Sequence, residues 1–298
     1  MPIATTPTLD IAYTEHGPAT GYPVMLLHGW PDSPATWDGV APRLAAAGYR
    51  VIVPTLRGYG GTRLRDTARP RSGQPTALAR DAIDLADVLG LGRFALIGHD
   101  WGGRAVFPAA ILAADRLDGI ASLSVPWVPV HAAAPLSLEQ AQAFWYQWFL
   151  CSPAGESTYR ADFAAFEKRM WDTWSPPGWD EPAAWAEVAA TAAANPDHAT
   201  TVLHFYRSRW GLAEPDPAYA TDEARVRAAR TIDVPTLVIH GGRDTCTLPA
   251  ITEGLSAHFT AGFDRAVIAA AGHFPQREAP AETAVRLSEW LSSGRRTV

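Results

Sequence analysis

The segment Gly98-His99-Asp100-Trp101-Gly102-Gly103 decides the fold of this 298-residue chain. An apolar run over 93–97 precedes it, and a helical pattern begins at Gly102. A Gly-x-nucleophile-x-Gly sequence between a strand and a helix forms a sharp turn, the nucleophile elbow, which presents its central side chain at the carboxyl end of a sheet. The central residue here is Asp100, so the segment indicates a carboxylate nucleophile. Taken alone, the segment also fits a glycine-rich turn whose aspartate caps a helix.

Three further motifs follow other predicted strands. His28-Gly29-Trp30-Pro31 comes directly after a short apolar run, Gly241-Gly242-Arg243-Asp244 after the run at 236–239, and Gly272-His273-Phe274 after the run at 265–268. Nucleophile, acid and histidine therefore occur in the order Asp100, Asp244, His273. That order is typical of the α/β-hydrolase fold and not of the other triad folds.

The spacing of apolar runs predicts the domain organisation. The runs are continuous rather than alternating, which is typical of strands buried on both faces of a parallel sheet in a doubly wound α/β domain. Between about 126 and 230 strand patterns are absent, and Ala-rich helical patterns with many aromatic residues replace them. We therefore predict a core domain over 1–127 and 231–298. A helical cap over 128–230 is inserted after the sixth strand.

These motifs resemble the α/β-hydrolases of the epoxide hydrolase and haloalkane or haloacetate dehalogenase group, and most of all the epoxide hydrolases. The similarity runs from about residue 8 to 292 and includes Leu56-Arg57-Gly58-Tyr59-Gly60 besides the motifs above. The resemblance implies that Asp100 attacks an sp³ carbon and forms an alkyl ester. His273 then activates the water that hydrolyses the ester, while Asp244 orients the imidazole.

The resemblance also implies roles for other residues. The backbone N–H groups of Trp30 and Trp101 would form the oxyanion hole. Tyr146, within Phe144-Trp145-Tyr146-Gln147-Trp148, and Tyr206, within His204-Phe205-Tyr206-Arg207, match the two cap tyrosines of epoxide hydrolases. They would donate to the epoxide oxygen as the ring opens to a vicinal diol.

Two alternatives remain open at this stage. A dehalogenase would use the same triad and hold its halide with indole N–H groups, for which Trp101, Trp145 and Trp148 are candidates. Haloacetate dehalogenases hold a substrate carboxylate with two arginines. Here Trp101 occupies the place of the first, and only the second has a counterpart, Arg104, which argues against a carboxylate substrate. A non-catalytic ligand-binding protein on the same fold is the other alternative.

Composition restricts the partners. The chain has 25 basic and 31 acidic residues, a net charge of -6, which argues against nucleic-acid binding. Its one lysine, Lys168, excludes a Gly-Lys-Ser/Thr phosphate loop. No apolar stretch is long enough to span a membrane, and no signal peptide or metal motif is visible. We expect a cytoplasmic enzyme, monomer or homodimer, that needs no metal or cofactor.

Tryptophan is unusually frequent. Of the 12 tryptophans, eight lie between residues 127 and 210, and Trp30 and Trp101 flank the predicted chemistry. Large aromatic side chains above a carboxylate nucleophile favour a dry, apolar pocket. We therefore predict a small, uncharged, apolar organic substrate, reacting with water. The residues predicted to contact it are Trp145, Trp148, Arg104 and Phe274.

Overall fold

The computed structural model describes residues 1–133, 135–179 and 181–294. Nine strands occur in them: β1 Ile3–Thr5, β2 Leu9–His16, β3 Tyr22–Leu27, β4 Tyr49–Pro54, β5 Arg63–Leu64, β6 Phe94–His99, β7 Leu117–Leu123, β8 Thr236–Gly241 and β9 Phe263–Ile268. The α-helices are α1 Ala41–Ala46, α2 Pro75–Val88, α3 Trp101–Leu112, α4 Leu138–Ala143, α5 Trp145–Cys151, α6 Pro153–Ala161, α7 Phe163–Trp174, α8 Pro182–Ala193, α9 His198–Arg209, α10 Ala220–Ala228, α11 Pro275–Glu278 and α12 Pro280–Gly294.

One sheet with the order β1-β2-β4-β3-β6-β7-β8-β9 organises the chain. Strands β4, β3, β6, β7, β8 and β9 run parallel, while β1, β2 and the two-residue β5 pair antiparallel at one edge. All six residues of β6 and of β8 are buried, as expected for parallel strands covered on both faces. The mostly parallel α/β fold predicted from the sequence is confirmed.

Two apolar cores lie on opposite faces of this sheet. Along β3, Met25 and Leu27 join one core while Val24 and Leu26 join the other, because successive side chains of a strand point to opposite faces. Helices α2 and α3 cover the first face, and α1 and α12 cover the second. The carboxyl ends of β3, β6 and β8 consequently meet at one edge, where ligands bind in open α/β sheets.

In the described ranges, seven α-helices, α4 to α10, separate β7 from β8. We propose that they form the cap domain predicted for 128–230. In chain order the insertion follows β7, because β5 adds a strand that pairs only with β2. Residues 134, 180 and 295–298 of the predicted ranges lie outside the described residues.

Candidate active site

The turn between β6 and α3 holds Asp100 in an uncommon backbone conformation, with φ +48°. Glycines make this turn sterically feasible. A Cβ at Gly98 would lie 2.2 Å from the Gly102 carbonyl oxygen, and one at Gly102 would lie 2.5 Å from the Leu27 carbonyl oxygen. The Asp100 side chain makes no capping hydrogen bond to α3. The helix-capping alternative is therefore wrong, and the Asp100 carboxylate can interact with groups outside α3.

Asp100, His273 and Asp244 come together at the edge of the sheet. His273 Nδ1 lies 2.8 Å from Asp244 Oδ2, and His273 Nε2 lies 3.5 Å from Asp100 Oδ2. Asp244 also accepts hydrogen bonds from the backbone N–H groups of Cys246 and Thr247. Asp244 is thereby fixed in place. The Nε2 atom, by contrast, makes no hydrogen bond to the described residues and has only the longer ion-pair contact with Asp100.

Charges in this buried group stabilise one another. Burial lowers the pKa of His273, but Asp244 and Asp100 outweigh it and hold that pKa well above the ordinary value. Burial raises the pKa of Asp100, yet the nearby His273 brings it below its usual value. The pKa of Asp244 is also lowered, because the effect of His273 outweighs that of burial. In the free protein the arrangement is therefore carboxylate, imidazolium, carboxylate.

The loop after β3 approaches Asp100 from the other side. The Trp30 backbone N–H donates to Asp100 Oδ1 over 3.0 Å, and a cis peptide bond links Trp30 to Pro31. His28 holds this loop: its Nε2 accepts from the Leu56 N–H, and its Nδ1 contacts the Gly29 carbonyl oxygen, each at 3.0 Å. The side chain of His28 thus positions a backbone N–H at the carboxylate.

We expect His28 to make the protein sensitive to acid. Burial lowers the pKa of His28 from 6.5 to about 4. Between pH 6.5 and pH 4, His28 is therefore protonated in the unfolded chain but neutral in the native protein. Stability from this group is complete above pH 6.5 and is lost as the pH falls toward 4, by about 3 kcal/mol in total. Urea unfolding between pH 7 and pH 4 should show a shallower decline for His28→Gln than for wild type. Parallel curves for the two proteins would contradict this assignment.

Two tyrosines from the cap lie above the loop. The rings of Tyr146, on α5, and Tyr206, on α9, pack against Trp30 at centroid distances of 5.7 and 5.3 Å and against each other at 5.4 Å. Both side chains are fully buried. Burial, reinforced by the charge of Asp100, raises the pKa of each hydroxyl well above its ordinary value. Both tyrosines are therefore protonated, which keeps them hydrogen-bond donors.

Other predicted site residues lie in different surroundings. Trp145 and Trp148 are 46% and 40% exposed on the cap surface; Trp148 packs on Trp210 and donates to the Ala141 carbonyl. Their predicted placement in the pocket does not agree with this exposure, because they lie on outer faces of α5 while Tyr146 points inward. Phe274 is buried behind His273, against Trp171. Arg104 is half-buried and lines a large cavity.

Glu167 is a buried acid that no sequence pattern indicated. Glu167 Oε1, on α7, accepts hydrogen bonds from the Trp30 indole at 2.6 Å and from the Tyr159 hydroxyl at 2.5 Å, and it pairs with His198 Nε2 at 2.7 Å. His198 Nδ1 in turn contacts the Gly58 carbonyl oxygen. This network links cap helices to two core loops and fixes the Trp30 ring. A lone Glu within a helical pattern carries no sequence signal for such a role.

One set of side chains in the described ranges has a geometry that a metal ion accepts: ligand atoms of Asp244, Cys246 and His273 lie within 4.8 Å of one another. The donor chemistry fits poorly. His273 Nδ1 is bonded to Asp244, and burial raises the pKa of the Cys246 thiol to about 12, whereas a metal requires the thiolate. Among the helices described, none is long and apolar enough to cross a membrane.

Comparison with known proteins agrees with the fold. The α/β-hydrolase fold family matches residues 22–280. The chain is 29% identical to epoxide hydrolase A of Mycobacterium tuberculosis over 91% of both chains. It is 30% identical to a fluoroacetate dehalogenase of a Burkholderia species, over 97% of this chain and 91% of the relative. A Klebsiella pneumoniae structure, provisionally described as an epoxide hydrolase, superimposes with a TM-score of 0.90 at 35% identity, covering 99% of this chain and 97% of that one.

Proposed function

The chain belongs to the α/β-hydrolase fold family, and we propose that it converts epoxides to vicinal diols through a covalent intermediate on Asp100. An oxygen of the Asp100 carboxylate attacks a ring carbon, the carbon–oxygen bond of the epoxide breaks, and an alkyl ester forms. The ring oxygen takes a proton from a cap tyrosine. The His273 imidazolium then reprotonates the tyrosinate and becomes a neutral imidazole.

The pair of buried tyrosines carries this proposal. An alkoxide is a poor leaving group unless a donor protonates it or forms a hydrogen bond to it. Tyr146 and Tyr206 come from two different helices and pack on Trp30, whose backbone N–H reaches Asp100. Because their raised pKa values keep both protonated, both can donate to an oxygen that develops charge above the nucleophile.

The second half of the reaction hydrolyses the ester. Esterification removes the Asp100 carboxylate, whose interaction with His273 helps to raise the pKa of that imidazole. The neutral imidazole is then a competent base: Nε2 accepts a proton from water, and the hydroxide attacks the carboxyl carbon of Asp100. Backbone N–H groups of Trp30 and Trp101 stabilise the oxyanion, each worth about 10²–10³ in rate.

Collapse of the tetrahedral intermediate breaks the ester bond. The departing alkoxide takes the proton from His273, and the diol is complete. The newly formed carboxylic acid then protonates the imidazole, which restores the carboxylate–imidazolium pair. Over the cycle, one epoxide and one water give one diol.

Halide release is the second candidate, and the relationship to a fluoroacetate dehalogenase favours it. The indole groups argue against it. The Trp101 indole N–H already donates to the Tyr206 hydroxyl at 3.3 Å, and the Trp30 indole donates to Glu167. Trp145 and Trp148 lie on the cap surface. The indoles considered for a halide site are therefore engaged or exposed.

Removing both hydroxyls tests the assignment. We expect the double variant Tyr146→Phe/Tyr206→Phe to lose epoxide hydrolysis by about 10²–10⁴-fold, since the alkoxide lacks its acid. Release of chloride from a chloroalkane, if wild type catalyses it at all, should persist in the variant. Styrene oxide turnover and chloride release are measured side by side. Epoxide hydrolysis at the wild-type rate in the double variant would contradict the tyrosine roles.

A further inference from the structure

The Tyr146 hydroxyl belongs to a chain of hydrogen bonds that begins at an arginine. Gln147 Nε2 donates to the Tyr146 hydroxyl oxygen over 2.8 Å. Gln147 Oε1 accepts from Arg209 Nε over 3.0 Å and from the Trp210 indole over 3.2 Å. Guanidinium and indole groups only donate, so the amide oxygen must face them and the amide NH₂ must face Tyr146. The chain therefore has one direction, from Arg209 through Gln147 to the phenol oxygen.

This direction leaves the hydroxyl hydrogen of Tyr146 available to a substrate. Since Gln147 donates to the oxygen, the O–H of Tyr146 must donate to another group. Within the described ranges, the other contact of this hydroxyl is Cys246 Sγ at 3.4 Å, and sulfur is a weak acceptor that an epoxide oxygen can replace. Cys246 Sγ also lies within 4.8 Å of a ring nitrogen of His273. Tyr146 is thus on the side from which the proposed mechanism returns the proton.

Arg209 carries a charge that favours a phenolate at Tyr146. The described part of the chain holds no carboxylate within 4.0 Å of its guanidinium, whereas Arg207 on the same helix pairs with Glu156 at 2.7 Å. Burial, and then the charge of Arg104, lower the pKa of Arg209 to about 9, while a negative charge on Tyr146 raises that pKa again. Arg209 therefore stays protonated at pH 7. Because such coupling is reciprocal, its charge in turn stabilises a phenolate at Tyr146.

Tyr206 is supported differently. Its hydroxyl oxygen accepts from the Trp101 indole over 3.3 Å, which is a longer contact with a neutral donor. Hydrogen bonds in a chain polarise one another, so Arg209 strengthens the amide that donates to Tyr146, whereas an indole has no acceptor through which a cation could act on it. A phenolate is therefore better stabilised at Tyr146 than at Tyr206.

We propose that Tyr146 is the tyrosine that gives its proton to the epoxide oxygen, and that Gln147 and Arg209 are positioning residues that stabilise its phenolate. This inference rests on the proposed epoxide hydrolysis. As the carbon–oxygen bond of the ring breaks, its electron pair stays on the oxygen, which takes the proton from the Tyr146 O–H. The His273 imidazolium then returns a proton to the phenolate. Tyr206 donates a hydrogen bond to the same oxygen and keeps its proton.

Reversing the direction of the amide tests the positioning role. Gln147→Glu is almost isosteric and still accepts from Arg209, but it can only accept from Tyr146, so the phenol hydrogen turns away from the substrate. We expect kcat for styrene oxide to fall about 10–100-fold, with KM little changed. Arg209→Gln should also lower kcat, and Arg209→Lys should retain part of the rate. The control Arg207→Gln, on the same helix but at a paired arginine, should keep the wild-type rate.

Two backgrounds separate this role from a merely structural one. In Tyr206→Phe, the loss caused by Gln147→Glu should persist. In Tyr146→Phe, where no phenol oxygen remains to be stabilised, Gln147→Glu should lower kcat no further, because the two changes remove one shared interaction. Equal losses in both backgrounds would overturn the assignment of Tyr146 as the acid. Thermal unfolding of each variant confirms that the fold is present.

A spectroscopic measurement reports on the chain of hydrogen bonds without any turnover. In protein labelled with ¹³C at tyrosine Cζ, the Tyr146 resonance is assigned by its absence from Tyr146→Phe. It should move in Gln147→Glu and in Arg209→Gln, while the Tyr206 resonance stays in place. A Tyr146 resonance that is unmoved in both variants would overturn the positioning roles. A moved resonance in a protein that leaves epoxides intact would refute the proposed function and the acid role together, and keep only the hydrogen-bond chain.

Discussion

Replacing Asp100 by asparagine is expected to lower kcat for epoxide hydrolysis by about 10⁴-fold or more. The proposed reaction forms its ester through a carboxylate oxygen, and a neutral amide is a far weaker nucleophile. Loss of a nucleophile in other covalent hydrolases has effects of this size or greater. Initial rates with styrene oxide, on wild type and variant at equal concentration, give the measurement.

The fold of Asp100→Asn should be preserved. Asparagine matches aspartate in size, and its side-chain oxygen still accepts the Trp30 backbone N–H that now reaches Oδ1. The variant loses the charge that pairs with His273, so the pKa of His273 should fall. Turnover by Asp100→Asn near the wild-type rate would exclude the covalent mechanism.

The second large effect is expected from His273→Gln, which should accumulate the alkyl-enzyme. Esterification needs the Asp100 carboxylate, while hydrolysis of the ester needs the Nε2 base. The variant should therefore react once and stop, with steady-state turnover lowered by about 10²–10⁴-fold. Intact mass spectrometry after incubation with epoxide should show the protein heavier by the mass of one substrate.

The double variant Asp100→Asn/His273→Gln is the matched control for the trapped species. It lacks the base in the same way but has no carboxylate to alkylate, so its mass should stay unchanged. Peptide mapping should place the adduct of the single variant on Asp100. An adduct of equal yield in the double variant would show that another nucleophile reacts. If the His273→Gln variant stays unmodified and still turns over epoxide, His273 is not the base that hydrolyses the ester.

The sequence by itself predicted the fold, which is confirmed, and indicated Asp100, Asp244 and His273 as the residues of the proposed triad. Asp100 directly follows β6, Asp244 and His273 lie in the loops after β8 and β9, and the carboxyl ends of parallel strands share one edge of the sheet. The sequence also indicated the roles of Gly98 and Gly102, because only residues without a Cβ allow the close backbone approach that the elbow requires. Local pattern and chain order were thus sufficient for this part, and the family membership is confirmed.

Only the tertiary structure decided how the cap meets the core. Trp145, Tyr146 and Trp148 are near neighbours on α5, yet helical rotation of about 100° per residue buries Tyr146 and exposes both tryptophans. An aromatic-rich run does not reveal which of its faces turns inward. Glu167 bonds Trp30 across 137 residues of chain, and Arg209 joins Arg104 at a shared cavity. Such contacts depend on how helices pack, which the order of residues along one helix does not specify.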